Sequence, residues 1–374
     1  MNIKHLFVLT FISALLLCSC GAGRTNSVGV NSGDTVKLKY ARLLTIVKHD
    51  HFSEVLVADP WHKGNTLHKY ILVPRNEEMP NDLPNGTIVR TPLKKSIVFT
   101  SAHCFLLASL NGLDGIAGVC DAQYILDKQV KTLISKGRIA DCGNGMSPVV
   151  EKIINIKADG MLISPFENSG GYGKLEEIGI PIIECADYME STALGRAEWM
   201  KLYGMIYGRE HEADSLFAVV DSSYNALKTK AKNMPKGLSI ITERKTGSTW
   251  YMPGGESTMG QIIKDANGTY AFANDKNSGS LALSPEQVLA KVSDADVWVF
   301  KYEGDRMLSR EDLLSEYHGY ATLKSFKTGN IYECNSTKIP YFDEVPFRPD
   351  FLLRELIILL HPEVKGNLRY YSKL

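Results

Sequence analysis

Residues 209–233, REHEADSLFAVVDSSYNALKTKAKN, read as one long helix with both ends marked. Glu210, Glu212 and Asp214 crowd the first turns and Lys228, Lys230 and Lys232 the last, the polarity that the helix macrodipole favours. Gly208 breaks the chain before the stretch, and Pro235 and Gly237 stop it. Leu216, Val220, Tyr224 and Leu227 recur at helical spacing, which predicts one buried stripe under a charged outer face. Such a helix spans roughly 35 Å, about the width of a small domain. It is either a core helix of one large domain or a rigid strut between two. Strand-and-helix units on both sides favour the strut.

Length agrees, since 374 residues suit two domains of ordinary size. A hydrophobic content of 44% supplies true cores. Lys plus Arg and Asp plus Glu are 42 each, so the balance of charge points neither to nucleic acid nor to an anionic membrane surface.

The N-terminus stands apart. Lys4 and His5 precede an apolar run, Leu6 to Leu17, that is too short for a stable membrane span and has the form of a secretory signal. The run ends in Leu17-Cys18-Ser19-Cys20-Gly21, which resembles the lipobox of bacterial lipoproteins. On that reading residues 1–19 are removed and Cys20 is lipidated; the alternative is a plain signal peptide cleaved nearby. The small polar residues 20–33 then form a tether. Five cysteines follow, Cys104, Cys120, Cys142, Cys185 and Cys334, so in an oxidising compartment at least one stays unpaired. Cys120 and Cys142 both follow short apolar runs and are the candidates for a disulfide. No cysteine or histidine cluster has zinc-site spacing.

Val36 to Arg75 alternates apolar with polar residues, as antiparallel strands do, with a turn at Asp59–Gly64 and Trp61 over a local core. From Lys95 the pattern changes. Strands at 96–100, GIAGVC, RIADC, GMLIS and PIIE alternate with helices, the mark of a parallel doubly wound sheet. Its strand ends, at Thr100, Ser164 and Cys185, should share the edge where such sheets bind ligands. After the long helix the pattern returns, with strands at 237–242, 295–300 and 329–332 and a closing helix from Pro349 to His361. The expected fold class is α/β, with two lobes carrying parallel-type sheets joined by one long helix.

Two segments echo each other. Ser147-Pro148 leads to Glu151, Asp159 and a strand; Ser284-Pro285 leads to Glu286, Asp294 and a strand. Each Glu lies eight residues before its Asp, and each segment promises a Ser cap and a Pro at the first helical position. Ordinary helix starts account for the residue types, but not for one copy in each lobe.

Asp187-Tyr188-Met189-Glu190 with Leu194-Gly195-Arg196-Ala197-Glu198-Trp199-Met200 resembles the signature before the backbone helix in substrate-binding proteins of ABC importers, the iron-chelate and vitamin B12 type. The paired Glu segments and the closing helix resemble that family too, over roughly residues 95–363. The resemblance implies a class III periplasmic-binding-protein fold with an inter-lobe cleft. It implies no catalysis and no intrinsic cofactor. The ligand would be a metal chelate (ferric siderophore, haem or cobalamin), and the partner an ABC permease dimer with its ATPase subunits, docked through Glu151 and Glu286. Contact with the membrane would be through the lipid anchor alone, on the periplasmic side of the envelope. The expected domains are 34–208, the helix 209–233 and 234–374.

Strand-end position and the resemblance nominate His103, Phe166, Tyr172, Glu190, Arg196, Trp250, Tyr251, Met252 and Tyr302 for the ligand. The first lobe lacks the basic cluster that a catecholate or citrate site needs. A hydrolase is the competing class, but the chain has no G-x-S-x-G elbow and no HExxH, and GGESTMG is not a phosphate loop. A tethered scavenger or sensor of the same fold without a permease is the third.

Overall fold

A computed structural model describes residues 33–167 and 171–374. The signal segment, Cys20 and nearly all of the expected tether lie outside the described residues.

Three sheets carry the molecule. Asp34–Thr35, Leu44–Lys48, Ser53–Ala58 and Thr66–Pro74 pair antiparallel in chain order, as the alternation predicts, and Thr87–Thr91 joins parallel to the last of them. The first lobe holds a parallel sheet ordered Ile182–Glu184, Gly160–Ile163, Ser96–Val98, Ile116–Val119, Ala140–Asp141. The chain starts at Ser96–Val98, winds one way for two strands, then returns to wind the other way, so the switch point lies between Ser96–Val98 and Gly160–Ile163. The second lobe repeats this with Thr269–Tyr270, Ser239–Thr242, Val297–Tyr302 and Ile331–Asn335, and Ser372–Lys373 adds an antiparallel edge.

The long helix runs from Glu210 to Lys232. Its buried stripe is Ala213, Phe217, Val220, Tyr224 and Ala231, while Leu216 and Leu227 are half-buried at its margin. It is not a free-standing strut. The helices Ala193–Glu198 and Met200–Tyr207 pack on it from the first lobe, and Thr258–Asp265 and Pro349–Leu360 from the second. Tyr224 and Lys228 both reach Asp265, at 2.9 Å, and Lys39 and Tyr40 both reach Asp221, at 2.9 and 2.6 Å. A helix held on both sides along its length resists large hinge motion between the lobes.

The signature before this helix has a structural task. Glu198, fully buried, accepts the backbone N–H groups of Lys39, Tyr40 and Ala41, and Glu190 those of Arg42 and Leu43 together with the Trp199 indole. Two buried carboxylates thus fasten the N-terminal segment to the first lobe, each satisfied by N–H donors in place of water. Glu198→Ala is expected to cost about 2–4 kcal/mol by orphaning three N–H groups. Hydrogen exchange at residues 39–41 checks it, and unchanged protection there would refute the assignment.

Two expectations need correction. Cys120 and Cys142 end adjacent parallel strands, as expected, but all five described cysteines are free and buried. Neighbours on parallel strands stand side by side about 4.8 Å apart, wider than the Cβ separation a disulfide prefers. Burial pushes their thiols up, to about 12 and about 11. In the echoed segments, Ser147-Pro148 is a short strand paired with Gly143–Asn144, and the helix Val150–Ile156 is entered from Val149 without a side-chain cap. Ser284 does cap Pro285–Val292, in a full capping box. Glu151 and Glu286 nonetheless reach the same second helical position. The counterpart of Asp159 is Asp296, not Asp294: Asp159 accepts the N–H groups of Lys94 and Lys95 just before the neighbouring strand, and Asp296 accepts that of Ser239, the first residue of its own neighbour.

Candidate functional site

The switch point of the first sheet opens into a cavity of about 750 Å³, within the range of small-molecule sites. In open α/β sheets the carboxyl ends of the strands diverge at that point and leave a crevice. Phe99 and Thr100, after the first strand, and Ile163 and Ser164, at the end of its neighbour, form the floor. Asp121, left-handed at φ 52°, accepts the Asn144 amide (3.2 Å) and the Gly145 N–H (3.1 Å), so the 143–148 hairpin is pinned over one side. Phe166 and Tyr172 form the opposite wall.

Tyr172 is held from behind. Its hydroxyl donates to Glu184 Oε1 at 2.7 Å and its N–H to Glu176 at 2.7 Å. The other Glu184 oxygen lies 2.9 Å from Nδ1 of His68, which stacks on Tyr70, and the Tyr70 hydroxyl meets the backbone of Glu184 at 2.7 Å. Burial, then the bond to Glu184, pushes the Tyr172 hydroxyl far above its ordinary pKa, so it remains a donor. His68 and Tyr70 belong to the N-terminal sheet, which therefore braces the cavity wall.

Of the residues nominated from sequence, Phe166 and Tyr172 meet here, and Glu151 lies on the same lip. The others do not. His103 is 2% exposed, inside the helix Ser101–Ser109, with Nε2 3.0 Å from Asp187 and Nδ1 2.5 Å from the Thr100 hydroxyl. Both ring nitrogens are engaged, and the ring is buried away from the cavity. Arg196 bonds the same Asp187 (3.0 Å), not Glu198, and Glu190 is buried on the N-terminal segment. Trp250 and Met252 are fully buried in the strand Thr249–Pro253, and only Tyr251 between them is exposed, lining none of the cavities described here. The Trp250 indole donates to Thr242 O at the second sheet's switch point and packs with Trp298 and Tyr320, so that crevice is filled by the lobe's own side chains. Tyr302 is buried, its hydroxyl bonded to Arg306 O and Glu333. A pair of adjacent aromatics in a strand alternates in and out, which is why Trp250 is core.

Thr100 and Ser164, expected at the binding edge as strand ends, do line the cavity, whereas Phe99, Asp121 and Met146 were not foreseen. Strand-end position identifies Phe99 and Asp121; Met146, 78% exposed on the hairpin, carries no sequence signal. Between the lobes lies a smaller cavity of about 250 Å³, where Asp343 of the second lobe accepts the N–H of Leu126 of the first at 3.1 Å. Glu151 and Glu286 are both exposed. The N–H of Glu286 itself, then the Ser284 hydroxyl, holds the Glu286 carboxyl below its ordinary range.

The family model described as periplasmic binding protein matches residues 98–337, both switch points included. The chain belongs to the periplasmic binding protein family. An uncharacterised lipoprotein of Methanocaldococcus jannaschii is 25% identical over 371 residues, covering 93% of this chain and 87% of the relative. Among solved structures, Staphylococcus aureus IsdE complexed with haem matches at TM-score 0.55 and 15% identity, over 71% of this chain and 98% of that one. The periplasmic vitamin B12-binding protein BtuF of Vibrio cholerae matches at TM-score 0.54 and 14% identity, over 72% and 96%. At such identities the likeness shows the fold, the class III arrangement of two lobes on one long helix. Family and fold are those of substrate-binding proteins rather than of enzymes. The match leaves out residues 34–91, the sheet that fastens onto Glu190 and Glu198 and braces Tyr172.

Proposed function

We propose that this protein is the substrate-binding lipoprotein of an ABC importer, which captures a metal chelate at the first lobe's switch point and hands it to a permease. The observation that carries this reading is the cavity itself, walled by Phe166 and Tyr172 at the place where the fold leaves a crevice. Family membership gives the class of activity, and the haem and vitamin B12 binders of the same fold suggest the class of ligand. The described residues that line the site all belong to the first lobe, 34–208, rather than to a cleft shared with the second, 234–374. An anchor at Cys20, suggested by the lipobox and by the lipoprotein relative, keeps the protein at the envelope surface. Among the described residues no helix is long and apolar enough to cross a membrane.

Titration against a ferric trihydroxamate, haemin and a corrinoid, followed by tyrosine and tryptophan fluorescence, tests the site. Phe166→Ala and Tyr172→Ala should each weaken the ligand that binds by about 1–3 kcal/mol, roughly five- to 150-fold, as loss of an aromatic anchor does. Full affinity in the double variant would remove the cavity from the function.

A further inference from the structure

We infer that the cavity selects a bulky, amphiphilic ligand of zero or positive net charge and rejects polyanionic chelates. This rests on the reading above, that the ligand sits at the first lobe's switch point. The ionisable side chains that line it at neutral pH are two carboxylates, Asp121 and Glu151, and one ammonium, Lys174. Among the described residues no arginine or histidine lines it. Among the described residues none of the three forms an ion pair, so their charges act on whatever enters. Two further carboxylates, Glu176 and Glu184, stand directly behind Tyr172, the second of them met by His68.

An entering anion would surrender its hydration to a wall with a surplus of carboxylate, and like charges brought together at an interface are strongly disfavoured. Haem brings two propionates, ferric tricatecholates and citrates more charge still. Nothing in the lining offers the bidentate arginine that normally receives such groups. A neutral or monocationic chelate meets no such penalty, because Phe99, Ile163, Phe166 and Tyr172 cover its apolar faces while the carboxylates attract residual positive charge.

Binding is to be measured on the whole mature chain at low and physiological salt. The probes are a neutral ferric trihydroxamate, its monocationic counterpart, a cationic corrinoid, haemin and a ferric tricatecholate. Expected is binding of a neutral or cationic probe, with salt weakening the cationic one, and no measurable binding of haemin or the tricatecholate. Among the trihydroxamates, Glu151→Lys should weaken the cationic form about tenfold more than the neutral form, and Lys174→Glu should shift the preference the other way. Tight binding of haemin or the tricatecholate that is lost in Phe166→Ala and Tyr172→Ala overturns the charge rule and leaves the site standing. Binding that is indifferent to both aromatic variants, or no binding of any probe, overturns the site and the charge rule with it.

Discussion

Asp187→Ala is expected to cost about 3–5 kcal/mol of folding stability, the usual consequence of removing one member of a buried ionic group. Asp187 is 1% exposed and receives three bonds: His103 Nε2 at 3.0 Å, the Tyr203 hydroxyl at 2.8 Å and Arg196 Nε at 3.0 Å. These donors come from the helices Ser101–Ser109, Ala193–Glu198 and Met200–Tyr207, so one carboxylate ties the edge of the first sheet to the helices that carry the long one. Without it Nε2 of the buried imidazole and the buried Tyr203 hydroxyl lose their shared carboxylate partner, their rings 4.9 Å apart. Denaturant melts of Asp187→Ala and Asp187→Asn measure the loss, and Asn should restore part of it by keeping an acceptor. A loss under about 1 kcal/mol in the Ala variant would mean that the network is incidental.

The same group sets an acid limit. Burial alone would raise the Asp187 carboxyl, but His103, then Arg196 and Tyr203, outweigh it and hold it at about 2. A carboxyl lowered on folding stabilises fully above its unfolded value of about 4, and that contribution, on the order of 2 kcal/mol, is lost as pH falls through the range from about 4 to about 2. Asp187→Asn should flatten the stability profile over that window. An unchanged slope there would place the acid sensitivity elsewhere.

How much of this was legible depends on the kind of signal. The long helix, the parallel alternation and the closing helix were readable, because helical periodicity, terminal charges and stop signals act locally and agree with one another. Phe166 and Tyr172 were readable because strand-end position follows from topology. Trp250, Met252 and Tyr302 misled because a binding aromatic and a core aromatic are the same residue in sequence. The alternation through Thr249–Pro253 was the better guide, burying Trp250 and Met252 and exposing Tyr251. His103 misled for a related reason: its two partners, Thr100 and Asp187, are 3 and 84 residues away, and only the folded chain reveals the second. The role of Glu190 and Glu198 was hidden likewise, since backbone N–H groups about 150 residues distant leave no pattern. The Glu echo survived a change of cap because helix position, not the capping residue, was what the two lobes shared.

That shared position supports the prediction that bears most directly on transport. Glu286→Lys should reduce uptake at least tenfold while leaving ligand affinity within about twofold, since truncating one partner of a docked charge pair commonly costs about 2–5 kcal/mol and reversal adds repulsion. Glu286 is the cleaner probe of the two, being exposed and outside the cavities described here. Glu151 sits on the cavity lip, so its reversal should reduce uptake and also shift affinity for a charged ligand. A docking residue beside the ligand would let the permease sense occupancy without a large movement of the lobes, which suits a helix held on both sides. Uptake assays with the single and double variants, paired with binding titrations, separate the possibilities. A scavenger or sensor without a permease would lose nothing on Glu286→Lys, whereas an importer subunit would lose uptake alone, and restoration by acidic substitutions at the permease's facing cations would locate the contact.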